Sequence, residues 1–193
     1  MIQIGNDKIK DIYFGSDKIK EVYYGSEKVW EIESTQVGYW VHKDTGVKTY
    51  FGLEDPSIED GIMSPPSWNN DCSEVQIPSG VTGLGDFVFY MCSSLTSITL
   101  PESVTSLGMG CFFDSGLTSI TIPESVTSLG QFCFGYCRYL TLATVLPEIP
   151  PSLGTSVFDN VHSSFNIKVR SPYVNAYKTA TNWVAYADKI SAI

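Results

Sequence analysis

Residues Leu95 to Gly108 (LTSITLPESVTSLG) and Leu117 to Gly130 (LTSITIPESVTSLG) are one sequence written twice, differing only at Leu100 against Ile122. Near-identity at a fixed offset means one supersecondary unit stacked on itself, so the chain must fold as an array whose units bury their apolar faces against one another. From Glu74 onward four units are anchored by Pro78, Pro101, Pro123 and Pro147. Seven residues after each proline stands Gly85, Gly108, Gly130 or Gly154, and four further on Phe89, Phe112, Phe134 or Phe158. Ile98 with Leu100, and Ile120 with Ile122, alternate with polar residues as in a short strand that the proline then ends. Val104, Leu107 and Phe112, with their equivalents, are expected to point inward as ladders. Burying each such side chain contributes roughly 1.5–3 kcal/mol, so several rungs are needed before burial exceeds ordering entropy.

The first 32 residues carry a shorter period of ten, with Gly5, Gly15 and Gly25, then Lys8, Lys18 and Lys28, in register. Each decapeptide reads as one strand (KIKDIYF, KIKEVYY, KVWEIE) entered through a Gly-Ser turn, together a three-stranded meander. Gly38 to Phe51 reads as a hairpin turning at Lys43-Asp44-Thr45-Gly46. These strands make residues 1–51 a small β module, marginal alone and expected to pack on the neighbouring domain, on a further copy of the chain or in a larger assembly as an attachment module. Residues 52–73, rich in Pro and acid, read as a linker. Residues 74–170 are the solenoid. Residues 171–193 read as its C-terminal cap, with Ser171 as N-cap and Pro172 as first residue of an amphipathic helix.

Composition excludes several classes. Of 21 Asp and Glu, seven precede Ser34 beside five of the 12 Lys and Arg, so the net charge of -9 sits mostly downstream. Clustered basic residues that would track nucleic acid or an anionic membrane are missing, and no apolar run is long enough to insert in a bilayer. The start MIQIGNDKIK reads as no export signal. No metal or cofactor motif surrounds His42, His162 or the acidic run Glu54, Asp55, Glu59, Asp60. Gly80, Gly83 and Gly85 suggest a phosphate loop only until Gly85 is seen to recur in every unit, which close packing or a special backbone angle explains better. Five Cys is an odd number. Cys111 and Cys133 share one repeat position and read, like Cys137, as small buried hydrophobes. Stacking brings the first two thiols near each other, so a disulfide between them can form under oxidation, and none is expected in the native protein.

Comparing units with one another separates positions the fold dictates from those it leaves free. Around each Phe the units diverge: Phe87, Tyr90 and Met91, then Met109 and Phe113, then Gln131, Phe132, Tyr136, Arg138 and Tyr139. Aromatics and Arg at unconstrained positions are what a recognition surface uses, although packing against neighbouring rungs accounts for the same residues equally well. A second, weaker candidate is the outward strand column Gln76, Thr99 and Thr121, with Thr96, Ser97, Thr118 and Ser119 beside it, whose hydroxyls suit a glycan or merely solvent.

The unit L-T-S-I-T-[LI]-P-x-S-V-T-S-L-G-x-x-C-F resembles the BspA-like leucine-rich repeat family over residues 74–190, including the ending YVNAYKTATNWVAYADKI. The resemblance implies a mainly β leucine-rich-repeat solenoid of short parallel strands with a C-terminal capping helix, here preceded by a small antiparallel β module. It also implies adhesion rather than catalysis. The decapeptide run GNDKIKDIYFGSDKIKEVYYGSEKVWE is similar to short N-terminal repeats of bacteriophage virion proteins, especially of phages infecting gut bacteria. The expectation is a non-enzymatic virion protein at the particle surface, without cofactor. Its N-terminal module would bind other virion proteins and further copies of the chain, and its solenoid a host cell-surface protein or glycan. A passive fibre or decoration protein and a bacterial cell-surface adhesin are the alternatives.

Overall fold

The computed structural model describes residues 12–14, 17–19, 23–24, 27–28, 37–42, 44, 48–52, 58–59, 62–63 and 72–193. In the decapeptide region β1 (Ile12–Phe14) pairs antiparallel with β2 (Asp17–Ile19), and β3 (Tyr23–Tyr24) with β4 (Glu27–Lys28). Phe14 opposes Asp17 and Tyr24 opposes Glu27, so each Gly-Ser pair separates two strands instead of leading into one. A two-residue Gly-containing connection favours such tight pairing, and this replaces the expected three-stranded meander. The hairpin forms between β5 (Val37–His42) and β6 (Lys48–Gly52), with Tyr39 opposite Tyr50.

The stretch expected to be a linker contributes to the solenoid. Within it, β7 (Ile58–Glu59) pairs antiparallel with β8 (Ile62–Met63). Next come β9 (Cys72–Gln76), whose edge receives β5 antiparallel, and β10 (Gly83–Leu84), which pairs in parallel with β8 so that Met63 lies opposite Leu84. Ile58 and Met63 are buried. The first full rung has no complete unit before it to pack on, and the buried Ile58 and Met63 join the core at that end.

From there each rung donates to two sheets. The two-residue strands β11 (Ser106–Leu107), β13 (Ser128–Leu129) and β15 (Ser152–Leu153) extend β10 in parallel. On the other side β12 (Ser119–Ile122), β14 (Leu142–Val145) and β16 (Asn166–Val169) stack in parallel, Ile120 on Ala143 on Ile167. Inside, Phe89, Phe112, Phe134 and Phe158 form one column with ring centroids 5.1, 5.3 and 5.5 Å apart, and Phe165 continues it at 5.0 Å. Val81, Val104 and Val126, and Leu84, Leu107, Leu129 and Leu153, form parallel columns, all buried.

At the far end Arg170, not Ser171, is the N-cap residue; Ser171–Tyr173 is a 3₁₀ turn without a side-chain cap hydrogen bond, and the helix proper, α1 (Val174–Thr179), follows. Pro172 lies in that first turn as expected, its fixed φ suiting it. The helix stops short of Trp183 because the chain turns extended at Ala180 and left-handed at Asn182, entering a second 3₁₀ turn, Trp183–Tyr186. Tyr177 and Trp183 are fully buried. The Tyr177 hydroxyl donates to the Pro147 carbonyl at 2.7 Å, and Trp183 Nε1 donates to the Pro151 carbonyl at 2.7 Å. Two aromatics thus satisfy carbonyls of the proline-rich loop while filling the end of the core. β17 (Ile190–Ala192), absent from the expectations, closes the sheet beside β16.

The recurrent Gly is explained by close approach. A Cβ on Gly130 would lie 2.5 Å from the Gly108 carbonyl carbon and from Met109 N, and one on Gly154 would lie 2.4 Å from Gln131 N. Backbone atoms cannot yield as a side chain can. Gly130→Ala is therefore expected to destabilise the solenoid by several kcal/mol, and Phe112→Ala by about 3–5 kcal/mol through lost burial and a cavity, both read from denaturant unfolding of the full chain.

Candidate recognition surface

The segment that follows each rung Gly turns one group of side chains inward and leaves the rest outside. Numbered from that Gly, the third, fourth and seventh residues pack into the core: Val88, Phe89 and Cys92 in the first rung, Cys133, Phe134 and Cys137 in the third. Alternate amides run along the solenoid axis to the next rung, as in Phe87 N–H to Met109 O (2.9 Å), Phe89 N–H to Cys111 O (2.7 Å) and Met91 N–H to Phe113 O (2.8 Å). The second and sixth residues are left-handed at every rung. Phe87, Gly110, Phe132 and Ser156 have φ of 59, 57, 55 and 57°, and Met91, Asp114, Tyr136 and Asn160 have φ of 58, 53, 61 and 56°. Gly, Asn and Asp take this conformation readily. A bulky residue there costs on the order of 1–2 kcal/mol.

On this frame the candidate side chains assemble into one stripe. The Phe87 ring meets Tyr90 edge-on at 5.7 Å, Tyr90 stacks on Phe113 at 5.5 Å, and Phe113 meets Tyr136 at 5.1 Å and Phe132 at 6.2 Å. The Arg138 guanidinium lies 5.7 Å from the Tyr136 ring centre, within cation–π range. Phe87 also rests on Gly110, where a Cβ would lie 2.5 Å from its ring. Met91 (47% exposed), Met109 and Gln131 flank the rings, and Tyr139, at 65%, stands furthest out. Phe113 and Tyr136 each have a partner stacked against the ring, so what the stripe offers is mainly ring edges and thioether groups. The fourth rung carries Thr155, Ser156, Asp159 and Asn160 at the corresponding positions. Packing of the rungs therefore does not require large apolar groups there.

The weaker strand column divides in two. Within it Thr118 serves the scaffold, donating to the Thr96 carbonyl at 3.3 Å; outside it Thr141, Thr105 and Thr127 likewise donate to the carbonyls of Thr118, Thr82 and Thr105 at 3.2, 2.9 and 3.2 Å. Gln76, Thr99 and Thr121 remain exposed. Gln76 and Thr99 meet in a single parallel bridge and line a cleft of about 570 Å³ with Glu74, Ser79, Ser97 and Pro101.

No enzyme-like cluster emerges among the described residues. His162 Nδ1 accepts the Ser164 amide at 3.1 Å in a local turn, and the side chain of His42 lies outside the described residues. Cys137 donates to the Phe112 carbonyl at 2.9 Å and touches Ser115 Oγ at 3.3 Å, and burial pushes its thiol up to about 11. Gly83 belongs to β10, which leaves no phosphate loop. Among the described residues no group of His, Cys, Asp or Glu could hold a metal ion, and no helix is long and apolar enough to cross a membrane.

Sequence reasoning missed the left-handed backbone beneath Phe87, Met91, Phe132 and Tyr136. Its signal was present in Gly110 and Asn160, the two residue types that prefer this conformation, at the same repeat positions.

Parallel strands repeated rung by rung, with a Leu, a Gly and a Phe column, define a leucine-rich-repeat solenoid. The chain belongs to the BspA-type leucine-rich repeat family, whose region matches in six copies over residues 67–180. A crystal structure of a leucine-rich repeat protein from Bacteroides ovatus is similar at 26% identity over 48% of this chain, with a TM-score of 0.44; the similarity spans 24% of that protein's length. No curated protein matches the sequence.

If left-handed strain is stored in the stripe, exchanging residues between rungs should redistribute it. Met91→Asn is expected to raise unfolding free energy by about 0.5–1 kcal/mol and Asn160→Met to lower it by a similar amount, measured by chemical denaturation.

Proposed function

We propose that this protein is a non-enzymatic binding protein of the adhesin type, with the stripe of Phe87, Tyr90, Met91, Phe113, Phe132 and Tyr136 as its contact surface for a protein or glycan on a host cell. One observation carries the reading: large apolar side chains are held on left-handed backbone at positions where other rungs of the same solenoid carry Gly, Ser, Asp or Asn. Strain retained at exposed positions that packing does not require is the mark of a functional surface. Arg138 and Tyr139 extend the surface with a cation and an adaptable phenol, residue types that dominate interface energies.

The finer part of the proposal concerns where the protein acts. The decapeptide repeat, similar to repeats of bacteriophage virion proteins, favours a particle-borne protein whose residues 1–51 join other virion proteins and bring copies of the chain together. A bacterial surface adhesin is the second reading, favoured by the family itself. A passive decoration protein would instead use the rings for packing between subunits.

The triple variant Tyr90→Ser, Phe113→Ser, Tyr136→Ser separates these readings. Host-cell binding is expected to fall by at least 30-fold, the size of a lost hot spot, while particle incorporation is unchanged. Intact binding with failed incorporation would make the protein a decoration. For the attachment module, light scattering of the full chain against a chain lacking residues 1–51 is expected to show a loss of oligomer mass; equal masses would remove that assignment.

A further inference from the structure

The five cysteines are chemically unlike one another. Cys111 and Cys133 share a repeat position, are fully buried and stand on neighbouring rungs. They belong to the rung-to-rung columns of buried side chains. Cys137 is held by Phe112 and Ser115. Cys72 and Cys92 differ from all of these. Their sulfurs lie 3.5 Å apart, both residues are fully buried, and they come from different parts of the rung. Cys72 opens β9, while Cys92 follows Phe89 on the first-rung turn. Closing to the bond length of about 2.05 Å needs a shift of only about 1.5 Å, shared between two side chains.

We propose that Cys72 and Cys92 are a disulfide-forming site, joined as the protein folds in an oxidising milieu such as the outside of a cell. The reactant is a small-molecule disulfide of the oxidised-glutathione class. One thiolate attacks it, breaking its S–S bond and releasing one glutathione thiol. The second cysteine then attacks the mixed disulfide, forming the Cys72–Cys92 bond and releasing the other glutathione. Two protons and two electrons leave the protein and reduce one glutathione disulfide to two thiols. The bond fastens β9, the strand on which the β5–β6 hairpin is paired, to the first rung. It lies where a pull on the N-terminal module would reach the solenoid. The inference is independent of what the aromatic stripe contacts.

The test is peptide mapping of the full-length chain refolded in a glutathione redox buffer, then denatured, alkylated and digested without reduction. The expected result is a Cys72–Cys92 peptide pair two hydrogens lighter than its thiols, with Cys111, Cys133 and Cys137 alkylated. The melting midpoint should fall by about 5–10 °C on reduction, as expected for a closed loop of this size in a chain of this length. Cys111→Ser is expected to retain both features. Cys72→Ala is expected to remove the effect of reductant on melting even if it lowers the midpoint itself. Alkylation of both Cys72 and Cys92 once the refolded, oxidised protein is denatured would overturn the proposal. So would a cystine between Cys111 and Cys133 in their place.

Discussion

The backbone of one rung lies directly against the backbone of the next where Gly108, Gly130 and Gly154 meet the preceding unit, at a distance that admits no Cβ. The rest of the solenoid follows from that contact. Because the rungs meet there without a spacer, the two-residue strands on one side and the longer strands on the other reach parallel hydrogen-bonding distance together. The same closeness allows the Phe column to stack with centroids 5.1 to 5.5 Å apart and lets Thr and Ser hydroxyls reach carbonyls of the rung before. A chain of short strands would ordinarily be marginal. Here the columns act in concert, since none can loosen without opening the others.

The same geometry creates the outer surface. To carry amides along the axis on alternate residues and still return the chain to the next Leu, each rung bends through two left-handed residues, one on either side of the buried Phe. Those bends are obligatory, but the identity of the residues at them is not. At Gly110 the rule is satisfied without strain, and the Phe87 ring occupies the vacated space. At Asn160 it is satisfied by a residue suited to the conformation. At Phe132 and Tyr136 it is violated, and the neighbouring Phe113 recovers part of the cost through ring contact.

Architecture was readable from the sequence where residues recur. The Pro, Gly and Phe columns give the rungs, and inward Val and Leu follow from the same spacing. Recognition failed where recurrence ended. Ile58 and Met63 belong to an opening rung too short to repeat the motif, and Pro56, Pro65 and Pro66 around them suggest a linker. Ser171-Pro172 has the composition of a helix start, yet the cap is dominated by Tyr177 and Trp183 reaching carbonyls of the Pro147–Pro151 loop, a tertiary contact no local pattern encodes. The members of the stripe were legible as positions that vary between rungs. Their contact with one another was not, because Tyr90, Phe113 and Tyr136 do not share a single repeat position. Gly135 takes the place equivalent to Phe113 in the third rung and Tyr136, one residue on, supplies the ring.

That shift of one residue bears on how the stripe works. A Cβ at Gly135 would sit 3.2 Å from the Phe113 ring, so the third rung has given up its aromatic at the regular position and placed one at the left-handed position beside it. Moving the ring there carries a backbone cost that a simple packing column would avoid, since a Phe column without strain already exists in the core. The displaced Tyr136 is consequently 36% exposed and meets Arg138, whereas a regular ladder would have covered it. A surface built to pack a subunit of identical sequence would gain from regular spacing. One that departs from the repeat, at an energetic cost and over three of the rungs only, accords with the proposed contact with a ligand that does not repeat.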